Sequence, residues 1–260
     1  MTTATGVDRQ ELEARVKDMY RRVALEPEAS FHFEMGRPLA ERLGYAPADL
    51  DRVPVDAIAS FAGVGHHFDL AELAEGEAVV DFGSGAGMDS FVAALKVGPT
   101  GSVTGVDMTD EQRTKATRLA EAGGFSGVRF VKGYIEDVPL ADACADVVIS
   151  NGVINLSADK ASVFREAARV LKPGGRLALS DIVTERPLPE SVVCDATLWA
   201  ACIGGAAQQT DYCALIEAAG LRLRALRDNT AYRFLSDNAR GACEKFRVKS
   251  ISLLAQKESG

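Results

Sequence analysis

The residues of this chain best suited to chemistry start at an acid and run through three alternating glycines: Val79-Val80-Asp81-Phe82-Gly83-Ser84-Gly85-Ala86-Gly87. Two β-branched residues lead in, as they would at the end of a strand. Small residues then let the backbone turn sharply and approach a ligand, while a following helix aims its free N–H groups at that ligand. Twenty residues beyond Gly87, Val103-Thr104-Gly105-Val106-Asp107 reads as a second strand ending in an acid. A carboxylate at that separation accepts hydrogen bonds from the hydroxyls of a bound ribose. Loop, helix and spaced acid together predict a nucleoside-containing cofactor.

Charge around the loop narrows the choice. The spacing departs from the dinucleotide fingerprint, because Met88 falls where a small residue should pack. Asp81 precedes the loop and Asp89 follows it, so a pyrophosphate would be repelled. A ligand bearing an ammonium and a sulfonium would be welcomed, and S-adenosylmethionine carries both. On this reading Asp81 or the loop carbonyls pair with the amine, Asp107 holds the ribose and Met108 lies against adenine. Beyond the third expected strand, Lys132-Gly133-Tyr134-Ile135-Glu136-Asp137 offers Glu136 to the adenine amino group. For Glu136 and Asp137 a solvated loop is an equal alternative.

The elements that must position these groups follow from periodicity. Helical spacing covers 9–24, with Leu12, Val16, Met19, Tyr20 and Val23 on one face. The next fifty residues read as irregular around Pro27, Pro38, Pro47 and Pro54, apart from a helical stretch at 39–43. Strands at 78–82, 102–106, 127–131, 145–150 and 176–182 are expected between helices at 88–96, 110–122 and 159–171, with Lys172-Pro173-Gly174-Gly175 as the turn into the last strand. Residues 188–219 suggest two or three helices, and strands follow at 221–227 and 247–255, the latter antiparallel at an edge. Near-continuous apolar strands alternating with helices predict an α/β fold: a doubly wound, mostly parallel, seven-stranded Rossmann-like sheet covered on both faces.

With 260 residues and 47% hydrophobic content, the chain can form one large domain or a core with an extension. A net charge of −8 without a basic run disfavours nucleic-acid binding, and no apolar stretch has the length of a membrane span. The first residues lack the pattern of a secretory signal, so a cytoplasmic location is expected. Cys144, Cys194, Cys202, Cys213 and Cys243 form no C-x-x-C pair and read as free thiols, and no metal site is expected.

Val79 through Gly87, Gly105-Val106-Asp107 and Leu171-Lys172-Pro173-Gly174-Gly175-Arg176 resemble the motifs of class I S-adenosylmethionine-dependent methyltransferases. Met88-Asp89-Ser90, Met108-Thr109, Gly133 to Asp137, Ser150-Asn151-Gly152-Val153-Ile154-Asn155-Leu156 and Leu198-Trp199-Ala200-Ala201-Cys202-Ile203 look like the arsenite methyltransferase family. The resemblance implies methyl transfer to trivalent arsenic held by protein cysteines. It also implies cofactor contacts from Tyr20, Asp81, Gly83, Ser84, Gly85, Gly87, Asp107, Met108, Ile135, Glu136 and Asn151, with Trp199 and Cys202 at the substrate. Two of that family's cysteine positions differ here: Gly152 follows Ser150-Asn151, and Val64 stands within Gly63-Val64-Gly65-His66-His67. Only Cys202 remains, and one thiolate cannot enclose an ion that needs two or three.

If the 63–67 run covers the methyl group, as the resemblance implies, His66 or His67 lies near the nucleophile. A thiol is mostly protonated at neutral pH, so a histidine there would serve as general base. A surface or capping pair is the alternative. Asn151 and Asn155, at the end of the fourth strand, would orient the substrate or the sulfonium, and Tyr20 and Trp199 would close an aromatic lid or anchor helices. Residues 1–75 are expected to cover the site and 76–260 to form the core, with an insertion at 188–219. The expected reaction is in-line methyl transfer to a small soft nucleophile: a thiol, a sulfide or a trivalent arsenical. Another small metabolite methylated on oxygen, nitrogen or carbon, a nicotinamide-dependent oxidoreductase, and a non-catalytic cofactor-binding protein are the alternatives.

Overall fold

The computed structural model describes every residue except 1–8, 30, 32, 190–191, 193–202, 236 and 260. Seven strands form one sheet: β1 (Ala78–Phe82), β2 (Ser102–Asp107), β3 (Val128–Lys132), β4 (Ala145–Asn151), β5 (Leu171–Val183), β6 (Leu221–Asp228) and β7 (Lys249–Lys257), in spatial order β3-β2-β1-β4-β5-β7-β6. Strands β1 to β5 pair in parallel, and β7 runs antiparallel to both of its neighbours.

Alternate residues of each strand feed separate cores, the period-2 geometry of a pleated sheet. Val79, Val103, Val147 and Ile149 face one side. There they pack under α6 (Met88–Val97) and α7 (Asp110–Ala122). Val80, Phe82, Val106 and Val148 face the other. That side is covered by α8 (Lys160–Val170) and α9 (Gln209–Ala218). Phe164 of α8 meets Tyr212 of α9 edge-on at 5.1 Å, a geometry worth about 1 kcal/mol beyond area burial. Asp159 caps α8 by accepting from the Ser162 N–H.

Three sequence expectations change. First, the proline-punctuated region holds four short helices, not one: α2 (Arg37–Leu43), α3 (Pro47–Leu50), α4 (Val55–Ala59) and α5 (Phe68–Ala71). Pro38 and Pro47 sit in the first turn of α2 and α3, where a missing N–H costs nothing, so these prolines start helices instead of interrupting them. Second, the turn at 172–175 lies within β5, as an irregularity between the pairs Ala145↔Leu171 and Val147↔Arg176. Third, β7 is interior and β6 is the edge strand. Composition gives the reason: β6 carries Arg222, Arg224, Arg227 and Asp228, charges that suit an open edge, whereas Ile251, Leu253 and Ala255 of β7 are fully buried. A helix at Asp237–Phe246, α10, leads into β7.

Helix α1 (Arg9–Leu25) lies outside the sheet and buries Leu12, Val16 and Val23. Its last turns are held by polar contacts from elsewhere in the chain. Gln112 Nε2 donates to Tyr20 O at 2.9 Å, Ser60 Oγ to Val23 O at 3.0 Å and Lys115 Nζ to Ala24 O at 3.0 Å. Val23 O and Ala24 O, which the helix C-terminus leaves unsatisfied, are thereby paired. No helix among the described residues is long and apolar enough to cross a membrane.

Candidate functional site

A cavity of about 430 Å³ opens above the carboxyl ends of β1, β2, β3 and β4, where open parallel sheets bind ligands. Its floor is the β1 exit loop, its sides are the ends of β2 and β4 and the turn after β3, and its roof is α1 with residues 57–63. Gly83 has φ +72, and a Cβ there would lie 2.5 Å from Val153, so only glycine lets the loop clear the opposite wall.

Two buried carboxyls dominate the floor. Asp81, at the end of β1, accepts from Ser90 Oγ at 2.6 Å. Asp89, in the first turn of α6, accepts from Tyr45 OH at 2.6 Å and from Asn151 Nδ2 at 3.0 Å. Burial, reinforced by Asp89 and Asp107, pushes Asp81 up to about 8. Burial also raises Asp89 to about 6, against the opposing hydrogen bonds of Tyr45 and Asn151. Neither carboxyl has a lysine, arginine or histidine partner among the described residues. Adjacent buried acids without a counter-ion are a cost that a cationic ligand removes.

At the far side, Asp107 ends β2 with both oxygens engaged by backbone: Oδ2 accepts from Gly85 N at 2.9 Å and Oδ1 from Thr109 N at 2.8 Å. Each oxygen keeps a second lone pair for a ligand hydroxyl. Ser157 Oγ donates to Glu136 at 2.5 Å, fixing that carboxylate beside Ile135. Ser84 Oγ, which lies 2.6 Å from where a Cβ on Gly105 would sit, and Gln112 Oε1 are fully buried with no hydrogen-bond partner among the described residues. Floor acids without a basic partner among the described residues, and a carboxylate with free lone pairs 26 residues along (Asp81 to Asp107), fit an adenosyl ligand carrying positive charge.

A methyltransferase-domain family matches residues 73–220. The crystal structure of an arsenic (III) S-adenosylmethionine methyltransferase from Chlamydomonas reinhardtii is 32% identical, covering 86% of this chain and 74% of that one with a TM-score of 0.63. The chain belongs to the class I S-adenosylmethionine-dependent methyltransferases. It is related to the arsenite methyltransferase family. An arsenite methyltransferase of Halobacterium salinarum is 43% identical over 181 residues, 70% of this chain and 46% of that protein. The human arsenite methyltransferase is 41% identical over 151 residues, 55% of this chain and 40% of that protein. The chain therefore spans about half the length, or less, of these curated relatives. Geranyl diphosphate C-methyltransferase from Streptomyces coelicolor, at 16% identity and a TM-score of 0.68 over 95% of this chain and 98% of that one, shares the fold alone.

For a class I methyltransferase, the placement of the expected residues is uneven. Tyr20, Asp81, Gly83, Ser84, Gly85, Asp107, Met108, Ile135, Glu136 and Asn151 all line the cavity. Tyr20 also stacks on Phe33, with ring centroids 6.4 Å apart. Gly87 does not line it; at φ +92, with a Cβ only 2.7 Å from Phe130, it serves the packing of α6 on β3. Trp199, Cys202 and Cys194 lie outside the described residues.

The histidine pair needs correcting, because the chain leaves the cavity at Gly63 and both rings lie beyond it. Val64 O accepts from Ser250 Oγ at 2.6 Å and His66 O from Arg227 at 2.7 Å, so β7 and β6 draw this segment away from the site. His66 packs edge-on to Tyr45 at 4.8 Å, with Nδ1 3.4 Å from Asp69. His67 precedes α5, fully buried, with neither ring nitrogen bonded, and burial drops it to about 3. Neither ring is among the described residues that line the cavity, so this arrangement gives no support to the general base expected from sequence.

Asn151 lines the wall, but its amide is spent on the chain itself. Oδ1 accepts from Val64 N at 2.8 Å and Gly65 N at 3.3 Å, while Nδ2 donates to Tyr45 OH, Gly65 O and Asp89. It ties the Val64–Gly65 segment to Asp89. Asn155 is fully buried against Asp181 at 2.5 Å and does not reach the cavity. The two positions that resemble lost cysteine sites meet, since a Cβ on Gly152 would lie 3.1 Å from Val64 Cγ1. There they present an isopropyl group and no sulfur.

Sequence reasoning missed Glu13, Tyr45, Gln112 and Ser157. Glu13 and Gln112 sit at helical positions whose inward direction depends on how α1 and α7 cross the sheet. Tyr45 follows the helix-ending Gly44 and had no periodic signal at all.

Proposed function

We propose that this chain transfers a methyl group from S-adenosylmethionine to a small soft nucleophile: a thiol, a sulfide or a trivalent arsenical. The observation that carries the reading is the Asp81–Asp89 pair, buried at the glycine loop without a basic side chain. Kinship with arsenic methyltransferases supports the acceptor class. When bound, S-adenosylmethionine supplies an electrophilic methyl group already activated by its sulfonium. The chain's own residues then have to orient and enclose. Asp81 and Asp89 hold positive charge at the floor, Asp107 accepts from hydroxyls, and Glu136, fixed by Ser157, accepts from the adenine amino group. Leu12, Val16, Phe61 and Leu156 close the cavity against water.

A thiol acceptor must also lose its proton. With no histidine among the described residues that line the cavity, that proton goes to a carboxylate of its wall or to water. An arsenical is accommodated where it already carries methyl groups or soluble thiols, because Val64 and Gly152 contribute no thiolate. Residues 1–75 act as the cover and 76–260 as the core. The test is product analysis with methyl-labelled cofactor against thiols, sulfides and arsenicals. Label appearing on an oxygen or carbon acceptor, with none on sulfur or arsenic, would overturn the assignment.

A further inference from the structure

We propose that the cavity selects its methyl acceptor by charge, taking uncharged or cationic molecules and refusing anions; this rests on the methyl-transfer reading above. The wall of the cavity contains Asp81, Asp89 and Asp107 on the floor and Glu13, Glu136, Asp137 and Asp159 nearer the surface. Among the described residues, no lysine, arginine or histidine lines it. Basic groups approach only from behind or at the rim. Lys17 pairs with Glu13 at 2.5 Å, Lys115 donates to Ser60 Oγ at 2.9 Å, and Lys160 donates to the carbonyls of Asn155 and Ser157 at 3.1 and 2.8 Å.

The cofactor does not cancel this field. S-adenosylmethionine carries a sulfonium, an ammonium and a carboxylate, a net charge of one. Seven wall carboxyls remain net negative after it binds, even with Asp81 protonated and Lys17, Lys115 and Lys160 each taken to neutralise one acid. An acceptor carboxylate or phosphate entering the remaining space would face these acids in a partly desolvated site, where like charges repel more strongly than in water. Among the described residues it would find no side-chain cation in the wall to pair with. Neutral trivalent arsenicals, simple thiols and amine-bearing thiols meet the requirement, whereas mercapto acids and diphosphate-bearing acceptors do not.

Two measurements test this. The first compares kcat/KM for three thiols of one skeleton, cysteamine, 2-mercaptoethanol and mercaptoacetate, by formation of S-adenosylhomocysteine. The neutral and cationic thiols should exceed the anionic one at least tenfold after correction for thiol ionisation. Equal values would overturn charge selection while leaving methyl transfer to sulfur intact; absence of turnover in all three arms would count against the thiol reading alone. The second measurement needs no turnover. Ala62 lines the cavity and is partly exposed. In protein loaded with sinefungin, which bears a cation in place of the sulfonium, the thiol introduced by Ala62→Cys is alkylated with iodoacetamide or iodoacetate and followed by peptide mass spectrometry. Relative to the same thiol in denatured protein, the neutral reagent should gain at least tenfold over the anionic one. An unchanged ratio would overturn the proposal whatever the acceptor proves to be.

Discussion

Replacing Asp81 by asparagine should separate the two things its carboxyl does. Asp81 is 2% exposed and its pKa is raised to about 8. A carboxyl whose folded value exceeds its unfolded one holds its proton in the fold. The associated stability is complete below about pH 4 and is lost as pH rises through about 8. The slope approaches about 1.4 kcal/mol per pH unit, so ligand-free protein should lose about 2 kcal/mol between roughly pH 6.5 and 8. Cofactor binding has the opposite sign. An ammonium or sulfonium favours the ionised carboxyl, so affinity should rise by up to about tenfold per pH unit over the same window, with proton uptake by buffer. Asp81→Asn should flatten both slopes, keep or raise the stability of the ligand-free protein at pH 8, and weaken binding by about 10- to 100-fold, the worth of a charge-assisted hydrogen bond. Isothermal titration calorimetry in two buffers of different ionisation enthalpy reads affinity and proton release together, and urea denaturation reads stability. Wild-type affinity independent of pH, with Asp81→Asn binding equally well, would refute the reasoning that the floor is a cation site.

The remaining expectations concern residues around that floor. His67→Phe should remove an acid-side instability: with its folded pKa lowered to about 3, His67 costs stability as pH falls below the unfolded value of about 6.5, a loss that offsets the opposite trend of the carboxyls there. The variant should therefore be more stable than wild type at pH 5 in urea titrations and should keep its turnover. Asn151→Ala should cost about 2–4 kcal/mol in the same titrations, because Val64 N, Gly65 O and Asp89 lose partners at once; a loss below about 1 kcal/mol would show that water replaces the amide. Tyr134→Phe removes contacts with Lys17 at 2.7 Å and Glu13 at 2.6 Å that tie α1 to the turn after β3. These groups are largely exposed, so global stability should change by less than about 1 kcal/mol, while amide exchange in α1 should accelerate.

Much of this molecule was legible one residue at a time. Strand and helix positions came from periods of two and of roughly three and a half, because a pleated sheet and an α-helix each impose their spacing on whatever chain packs against a core. The glycine loop and Asp107 were legible because strand, turn and helix are local and their separation is fixed by chain geometry. The expectation of a cation at Asp81 and Asp89 likewise came from residue type alone, since like charge beside a phosphate site makes little physical sense.

Tertiary structure decided whatever depends on which segments share an end of the sheet. His66 and His67 follow Gly63 closely in sequence, yet hydrogen bonds from Ser250, Ser252 and Arg227 carry them past the cavity. Asn151 looked free to hold a ligand until the 63–65 segment folded back across it and used up its donors and acceptor. Glu13 and Tyr45 reach Tyr134 and Asp89 across 121 and 44 residues, contacts no local period encodes. Residue type and spacing set which element forms and what charge it bears; who faces whom across a cavity is settled only when distant segments compete for the same buried partners.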